Sequence, residues 1–177
     1  HLTRERTAGF IGSIEIDPRT CNVDHLKVLK NNSVSRVSLG IQDFDPIVQR
    51  AINRHQPVSM VESLVEKLRD LEFKSINFDL IYGLPKQNLA SVTSTMEIVS
   101  KLRPDLIAFY SYAHLPERIK NQRLIIDGDL PKAPERRELY ETGKRILASY
   151  GYTDIGMDHF ALPGSYLHEA KINRSLH

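Results

Sequence analysis

The chain has 177 residues, 41% hydrophobic and 26% charged, enough apolar material for one folded core and too much for a disordered chain. Its 24 basic and 22 acidic residues leave a net charge of +2, which offers no electrostatic footprint for nucleic acid or an anionic membrane. The longest mostly apolar run, Leu106 to Leu115, falls far short of the ~20 residues of a membrane span, and His1 to Phe10 lacks the apolar stretch of a signal peptide, so a cytoplasmic protein is expected.

In chain order, Phe10 to Ile16 predicts a strand ended by Asp17-Pro18, and Asp24 to Lys30 a short helix capped by Asp24. Val34 to Ile41 predicts a second strand. Asp45 caps a helix that starts at Pro46, a favoured first position. Leu64, Val65, Leu68 and Leu71 recur at helical spacing within Val58 to Leu71. Ser75 to Ile81 is the third strand, followed by a Tyr82-Gly83-Leu84-Pro85 turn and a helix over Ser91 to Leu102, stopped by Pro104. Asp105 to Tyr112 is the fourth strand. Glu117 to Ile126 and Pro134 to Tyr150 read as helices, with Gly151 as the residue after the second, and Thr153 to Met157 as a short fifth strand.

Alternating strands and helices imply an α/β fold with parallel strands and right-handed crossovers. An open doubly wound sheet and part of a barrel both fit, while a complete eight-unit barrel needs roughly 250 residues. Alternation within the strands favours the barrel. Ile14 and Ile16 oppose Ser13, Glu15 and Asp17; Val37, Leu39 and Ile41 oppose Ser38, Gly40 and Gln42; Ile76, Phe78 and Leu80 oppose Asn77 and Asp79. A parallel strand covered on both faces is apolar on both. Three successive strands with one polar face instead suggest outer helices and a polar lumen, with Glu15, Gln42 and Asp79 converging at the C-terminal mouth. Phe109, Tyr110 and Tyr112 leave the fourth strand ambiguous.

Each of these residues has a plain alternative. Glu15 is a carboxylate aimed into a site or a partner for Arg19. Gln42 can donate to and accept from hydroxyls or simply open a loop. The Arg54 guanidinium is shaped to fork onto a carboxylate, yet most such arginines are only solvated. Asp79, between Phe78 and Leu80, needs a partner, which is a ligand or a neighbour such as Asn77. His114 ends the fourth strand and Asp158-His159 follows the fifth, but the seven histidines show no metal-ligand spacing. The single cysteine, Cys21, rules out a disulfide framework and a metal site built wholly from this chain's thiolates. No dinucleotide, P-loop or hydrolase motif occurs. The charged stretch Glu117 to Arg145 is mixed in sign and reads as a solvated face.

The strand ends together carry a resemblance. Ser-Ile-Glu-Ile-Asp-Pro-Arg, Arg-Val-Ser-Leu-Gly-Ile-Gln-Asp-Phe, Ile-Asn-Arg-His-Gln, Asn-Phe-Asp-Leu-Ile-Tyr-Gly-Leu-Pro-Lys-Gln, Ser-Tyr-Ala-His-Leu-Pro and Gly-Met-Asp-His-Phe-Ala occur in that order between Gly12 and the end of the chain. This set closely resembles the oxygen-independent coproporphyrinogen III oxidases, radical S-adenosylmethionine (SAM) enzymes of haem biosynthesis. The resemblance implies a partial (β/α) barrel with SAM across the C-terminal strand ends. By motif, Glu15 and Arg54 would hold its methionine part, Gln42 and Asp79 its ribose hydroxyls, and the backbone at Ala113 its adenine. It also implies a [4Fe–4S] cluster that reductively cleaves SAM, and an external electron donor. The reaction implied converts two propionates of coproporphyrinogen III to vinyls, giving protoporphyrinogen IX. Arg19, Arg118 and Arg123 are substrate-carboxylate candidates by charge alone.

The family's C-x3-C-x2-C motif and a Gly-Gly-Gly-Thr-Pro segment are absent. Residues 1–177 are therefore expected to be one piece of a barrel domain, about strands three to six with a following helix and short strand. That piece alone is expected to be inactive, monomeric and without metal ligands. The alternative function is a haem chaperone relative, or a non-catalytic binder of a nucleotide-like ligand on the same barrel.

Overall fold

A computed structural model of the chain describes residues 11–175. The start of the first expected strand, at Phe10, lies outside the described residues. Four parallel strands form in sequence order: β1 (Gly12–Ile16), β2 (Val34–Gln42), β3 (Ser75–Tyr82) and β4 (Leu106–Ser111). Between them run α1 (Val23–Asn31), the short α2 (Pro46–Ala51), α3 (Val58–Asp70) and α4 (Leu89–Leu102). α5 (Ala133–Ser149) then leads to β5 (Thr153–Gly156), β6 (His159–Ala161) and α6 (Tyr166–Ile172). The sheet order is β1-β2-β3-β4-β6-β5.

The expectation of parallel strands throughout fails at one end. β6 pairs antiparallel with β4, and β5 antiparallel with β6. A two-residue turn at Met157 and Asp158 reverses the chain, so the expected single fifth strand is half of a hairpin. α6 carried no recognised signal. The expected helix over Glu117 to Ile126 is instead a loop with two 3₁₀ turns, Lys120–Leu124 and Asp127–Asp129, because Leu124 and Ile126 find no core to bury against. α1 is capped by Asn22, whose side chain accepts from the His25 amide at 2.9 Å, one residue pair earlier than the expected Asp24 cap. Asp45 caps α2 as expected, accepting from the Ile47 and Val48 amides.

The core lies on one face of the sheet. Val37, Leu39, Ile41, Ile76, Phe78, Leu80, Ile107, Phe109 and Phe160 meet Leu26 of α1, Val61 and Leu68 of α3, Met96 of α4 and Leu139 and Leu147 of α5. Phe109 thereby settles β4: it faces the helices, and Tyr110 turns the other way. Gly143, mid-α5, permits the close approach, since a Cβ there would stand 2.6 Å from the Phe109 ring. The opposite face carries the polar set, so alternation predicted the layering correctly.

Two strand-to-helix loops at the C-terminal end are tied by one buried carboxylate. Asp43 is fully buried. It accepts from the Asp45 amide at 2.6 Å, the Thr95 hydroxyl of α4 at 2.8 Å and the Gln87 side-chain amide at 2.6 Å. Gln87 in turn accepts from the Gly83 amide and donates to the Ile81 carbonyl. Gln49 and Gln56 continue the network, with Gln49 donating to the carbonyls of Asp43 and Gln56. Burial pushes the Asp43 carboxyl up, and the three donors oppose that. Removing it leaves buried donors without an acceptor, which costs about 1–3 kcal/mol per group. Asp43→Ala is expected to lower stability by about 2–4 kcal/mol in urea unfolding; a loss below 0.5 kcal/mol would show the network to be incidental.

Candidate functional site at the strand ends

The polar face is assembled by register. Glu15 pairs with Ser38 and Ser38 with Asn77, while Gly40 pairs with Asp79 and Asp79 with Ala108. Ser38 donates to one Asp79 oxygen at 2.5 Å, and Asn77 donates to the other at 2.7 Å and to the Ser38 hydroxyl at 2.7 Å. Asp79 thus has the neighbour that a partly buried carboxylate requires, and its oxygens retain lone pairs toward the lumen.

Gly40 is the centre of the arrangement. A Cβ there would stand 3.0 Å from the Arg54 guanidinium, 3.0 Å from the Gln42 side-chain nitrogen and 3.7 Å from a Glu15 oxygen. Three sequence-predicted residues from three separate segments therefore converge over one glycine. Gln42 gets there through a break in register after Gly40, with its own backbone in the left-handed region at φ 68°. For a non-glycine residue that conformation costs about 1–2 kcal/mol, and the buried Asp43 beside it holds it there. Arg54 follows α2. It donates to the Gly40 carbonyl at 2.6 Å and lies 3.4 Å from Asp17. Its Nε and the Asn77 Oδ1 are buried with no hydrogen-bond partner. Orphaned buried polar atoms are rare and costly, and a bound ligand or an ordered water is what would satisfy them.

Charge is balanced locally. Burial lowers the Arg54 pKa, and Asp17 and Glu15 raise it in return. The Arg19 guanidinium forks onto Asp17 at 2.7–3.2 Å and holds its carboxyl at about 2. Arg19, a substrate candidate by charge, is thus engaged with Asp17.

Ala113 lies two residues beyond β4. Its carbonyl accepts from Gln122 at 3.0 Å, and the same amide accepts from the Leu115 N–H at 2.5 Å. This splint fixes the loop backbone at the mouth. Arg123 donates to the Pro116 carbonyl, so it too serves the loop. His114 lies 3.2 Å from Asp127 through Nε2, and its Nδ1 lies 3.2 Å from the Tyr112 hydroxyl. Sequence reasoning missed Ser38 and Asp43. The alternation placed Ser38 on the right face, but nothing in sequence separates it from any other strand serine. Among the described residues no group of three His, Cys, Asp or Glu side chains is placed to hold a metal ion. None of their helices is long and apolar enough to cross a membrane.

The family model of the radical SAM superfamily matches residues 3–99, more than half of the chain. The chain belongs to the radical SAM superfamily. Its α/β sheet is part of that superfamily's barrel. The solved Escherichia coli coproporphyrinogen III oxidase, described as a radical SAM enzyme, superposes with a TM-score of 0.87 at 41% identity, over 91% of this chain and 37% of that one. An archaeal Elp3 from Methanocaldococcus infernus shares the fold at a TM-score of 0.65 and 18% identity, over 75% of this chain and 32% of its own. Among curated relatives, the oxygen-independent coproporphyrinogen III oxidase of Pseudomonas aeruginosa is 45% identical over 92% of this chain. That of Bradyrhizobium diazoefficiens is 43% identical over 93%. The chain spans 35% and 36% of the length of those two relatives.

Two outcomes are expected. Gly40→Ala forces Arg54 and Gln42 apart, so the affinity of a ligand seated over Gly40 should fall at least about tenfold with little change in melting temperature; unchanged affinity would place the ligand elsewhere. The second concerns pH. The folded Asp17 pKa of about 2 lies below its ordinary 3.8, so its ionised form stabilises the fold above about pH 4, and that contribution is lost as pH falls toward 2. The melting-temperature gap between wild type and Asp17→Asn should therefore narrow from pH 5 to pH 2.5, and a constant gap would contradict the pairing.

Proposed function

We propose that this chain forms the SAM-gripping part of an oxygen-independent coproporphyrinogen III oxidase. Under this reading the whole enzyme converts two propionates of coproporphyrinogen III to vinyls. The observation that carries the proposal is the convergence of Glu15, Gln42 and Arg54 over Gly40, with Asp79 one strand away. The chemistry of this set fits SAM. Glu15 accepts from the α-amine, and the free Arg54 Nε donates to the α-carboxylate. Gln42 and Asp79 take the vicinal ribose hydroxyls, and the splinted backbone at Ala113 meets the adenine edge. Bound there, SAM supplies the oxidising chemistry of the reaction. The chain's own residues bind it, orient it and exclude water from it.

The superfamily also implies a [4Fe–4S] cluster, and the residues here do not fit one. Cys21 is the single cysteine, half-buried, its thiol pushed up by burial, whereas such a cluster needs several thiolates. Cluster, electron donor and substrate are assigned to the whole enzyme. A cytoplasmic, monomeric enzyme is part of the same reading.

The test is Asp79→Ala in the full-length protein. SAM affinity by calorimetric titration should fall about tenfold to a hundredfold, the range for a hydrogen bond to a charged acceptor. Ser38 and Asn77 each lose an acceptor but still bond each other and are only partly buried, so water can replace it and the melting temperature should fall only modestly. Unchanged SAM affinity with a strongly depressed melting temperature would make Asp79 a scaffold residue and contradict the SAM assignment of this face.

A further inference from the structure

Beyond the Asp79 end of the site, the same polar face carries a pair that the SAM assignment does not use. Tyr110 stands on β4 opposite Ile81 of β3, and His159 on β6 opposite Ala108 of β4. The Tyr110 hydroxyl lies 3.3 Å from His159 Nε2, and the two rings meet edge to face with centroids 5.6 Å apart.

The histidine is held in one tautomer. Its Nδ1 lies 2.6 Å from the Met157 carbonyl, which can only accept. Nδ1 therefore carries a proton, and in the neutral imidazole Nε2 is left to accept from Tyr110. The carbonyl is delivered by a strained turn. Met157 and Asp158 both sit in the left-handed region, at φ 51° and 60°, and neither is glycine. Met157 is 91% exposed, so packing of its side chain does not account for the strain. The Asp158 carbonyl accepts from the Phe109 amide at 2.8 Å, tying the turn to β4 beside Tyr110. Strain of this kind persists where surrounding structure over-determines it, and it gathers at functional sites.

With its proton committed to His159, the Tyr110 oxygen presents lone pairs to the lumen. Tyr110 is 41% exposed, so an incoming ligand can reach it. Its electrostatic surroundings are acidic: Asp79, Asp158 and Glu15 all bear on it, and burial and these carboxylates raise its pKa. A substrate carboxylate is disfavoured in that company, and an uncharged N–H donor is welcome. A porphyrinogen brings both groups, four pyrrole N–H donors on the ring and carboxylates on its edge.

We propose that the Tyr110–His159 pair is a substrate-binding contact that accepts a hydrogen bond from a pyrrole N–H of the porphyrinogen, holding the ring rather than its carboxylates beside the SAM site. This rests on the functional reading above and adds the part of the substrate recognised here. Tyr110 is the contacting group. His159 and the Met157 carbonyl are positioning groups.

The test uses the full-length protein with SAM bound, under anaerobic conditions. Coproporphyrinogen III and its tetramethyl ester, which keeps the N–H groups and removes the carboxylate charges, are bound by equilibrium dialysis. Tyr110→Phe removes the acceptor and keeps the ring. His159→Asn keeps a donor for the Met157 carbonyl and removes Nε2. Each variant should weaken acid and ester by the same factor, about three- to tenfold for a neutral hydrogen bond. SAM affinity and melting temperature should stay at wild-type values. A penalty confined to the free acid, or an ester that wild type does not bind, would assign recognition to the carboxylates and overturn the proposal. Unchanged substrate affinity in both variants would leave the pair a strut of the hairpin. A wild-type protein that binds neither porphyrinogen would overturn the functional reading itself, and does so before any variant is compared.

Discussion

One buried carboxylate holds the site in place. Asp43 sits with no solvent exposure just past the end of β2, and its three hydrogen bonds join its own loop, through the Asp45 amide, to Thr95 in the middle of α4 and to Gln87 in the turn after β3. Loop backbone is the least self-supporting part of a barrel, because its amides lack ladder partners. Gathering those amides and side chains onto one acceptor fixes the loops to the helix layer. Gln42 and Arg54 depend on it directly. Gln42 precedes Asp43 in a left-handed conformation that is unfavourable for glutamine, and Gln49, bonded to the Asp43 carbonyl, spans the α2 turn that delivers Arg54.

Above this anchor the two faces of the sheet do different work. The helix-facing side buries Leu39, Phe78, Ile107, Phe109 and Phe160 with almost no exposure, and supplies most of the driving force for folding. The lumen side carries Ser38, Asn77, Asp79 and Gln42, which pair with one another but leave acceptors and donors over. The unpartnered Arg54 Nε and Asn77 Oδ1 are the clearest instance. A face optimised for stability alone would have been filled with apolar residues or fully paired.

Much of this was legible in the sequence because period-two alternation reports directly on which face a residue takes. Ile76, Phe78 and Leu80 against Asn77 and Asp79 predicted the core and the lumen of β3 without ambiguity. Features that depend on tertiary context were not. The two turn residues, Met157 and Asp158, include no glycine or asparagine to announce a tight hairpin, so the strand read over Thr153 to Met157 gave no sign of the partner strand that follows it. Charged spacing over Glu117 to Ile126 resembled a helix, but a helix needs a buried stripe, and Leu124 and Ile126 remain exposed. Phe109 and Tyr110 could each have faced inward; the helix layer that receives Phe109, with Gly143 of α5 making room for its ring, is assembled from residues far along the chain. Asp43 is an acidic residue directly before a phenylalanine at a strand end, and its burial follows only from the packing of Phe44 and Thr95 around it.

The central claim is that the lumen face over Gly40 is a SAM site. A crystal structure of the full-length protein grown anaerobically with SAM tests it most directly. The account predicts the methionine carboxylate within hydrogen-bond distance of the Arg54 Nε, the α-amine at Glu15, and the ribose hydroxyls between Gln42 and Asp79. SAM bound away from Gly40, with the Arg54 Nε still unpartnered and Asp79 bonded only to Ser38 and Asn77, would contradict it.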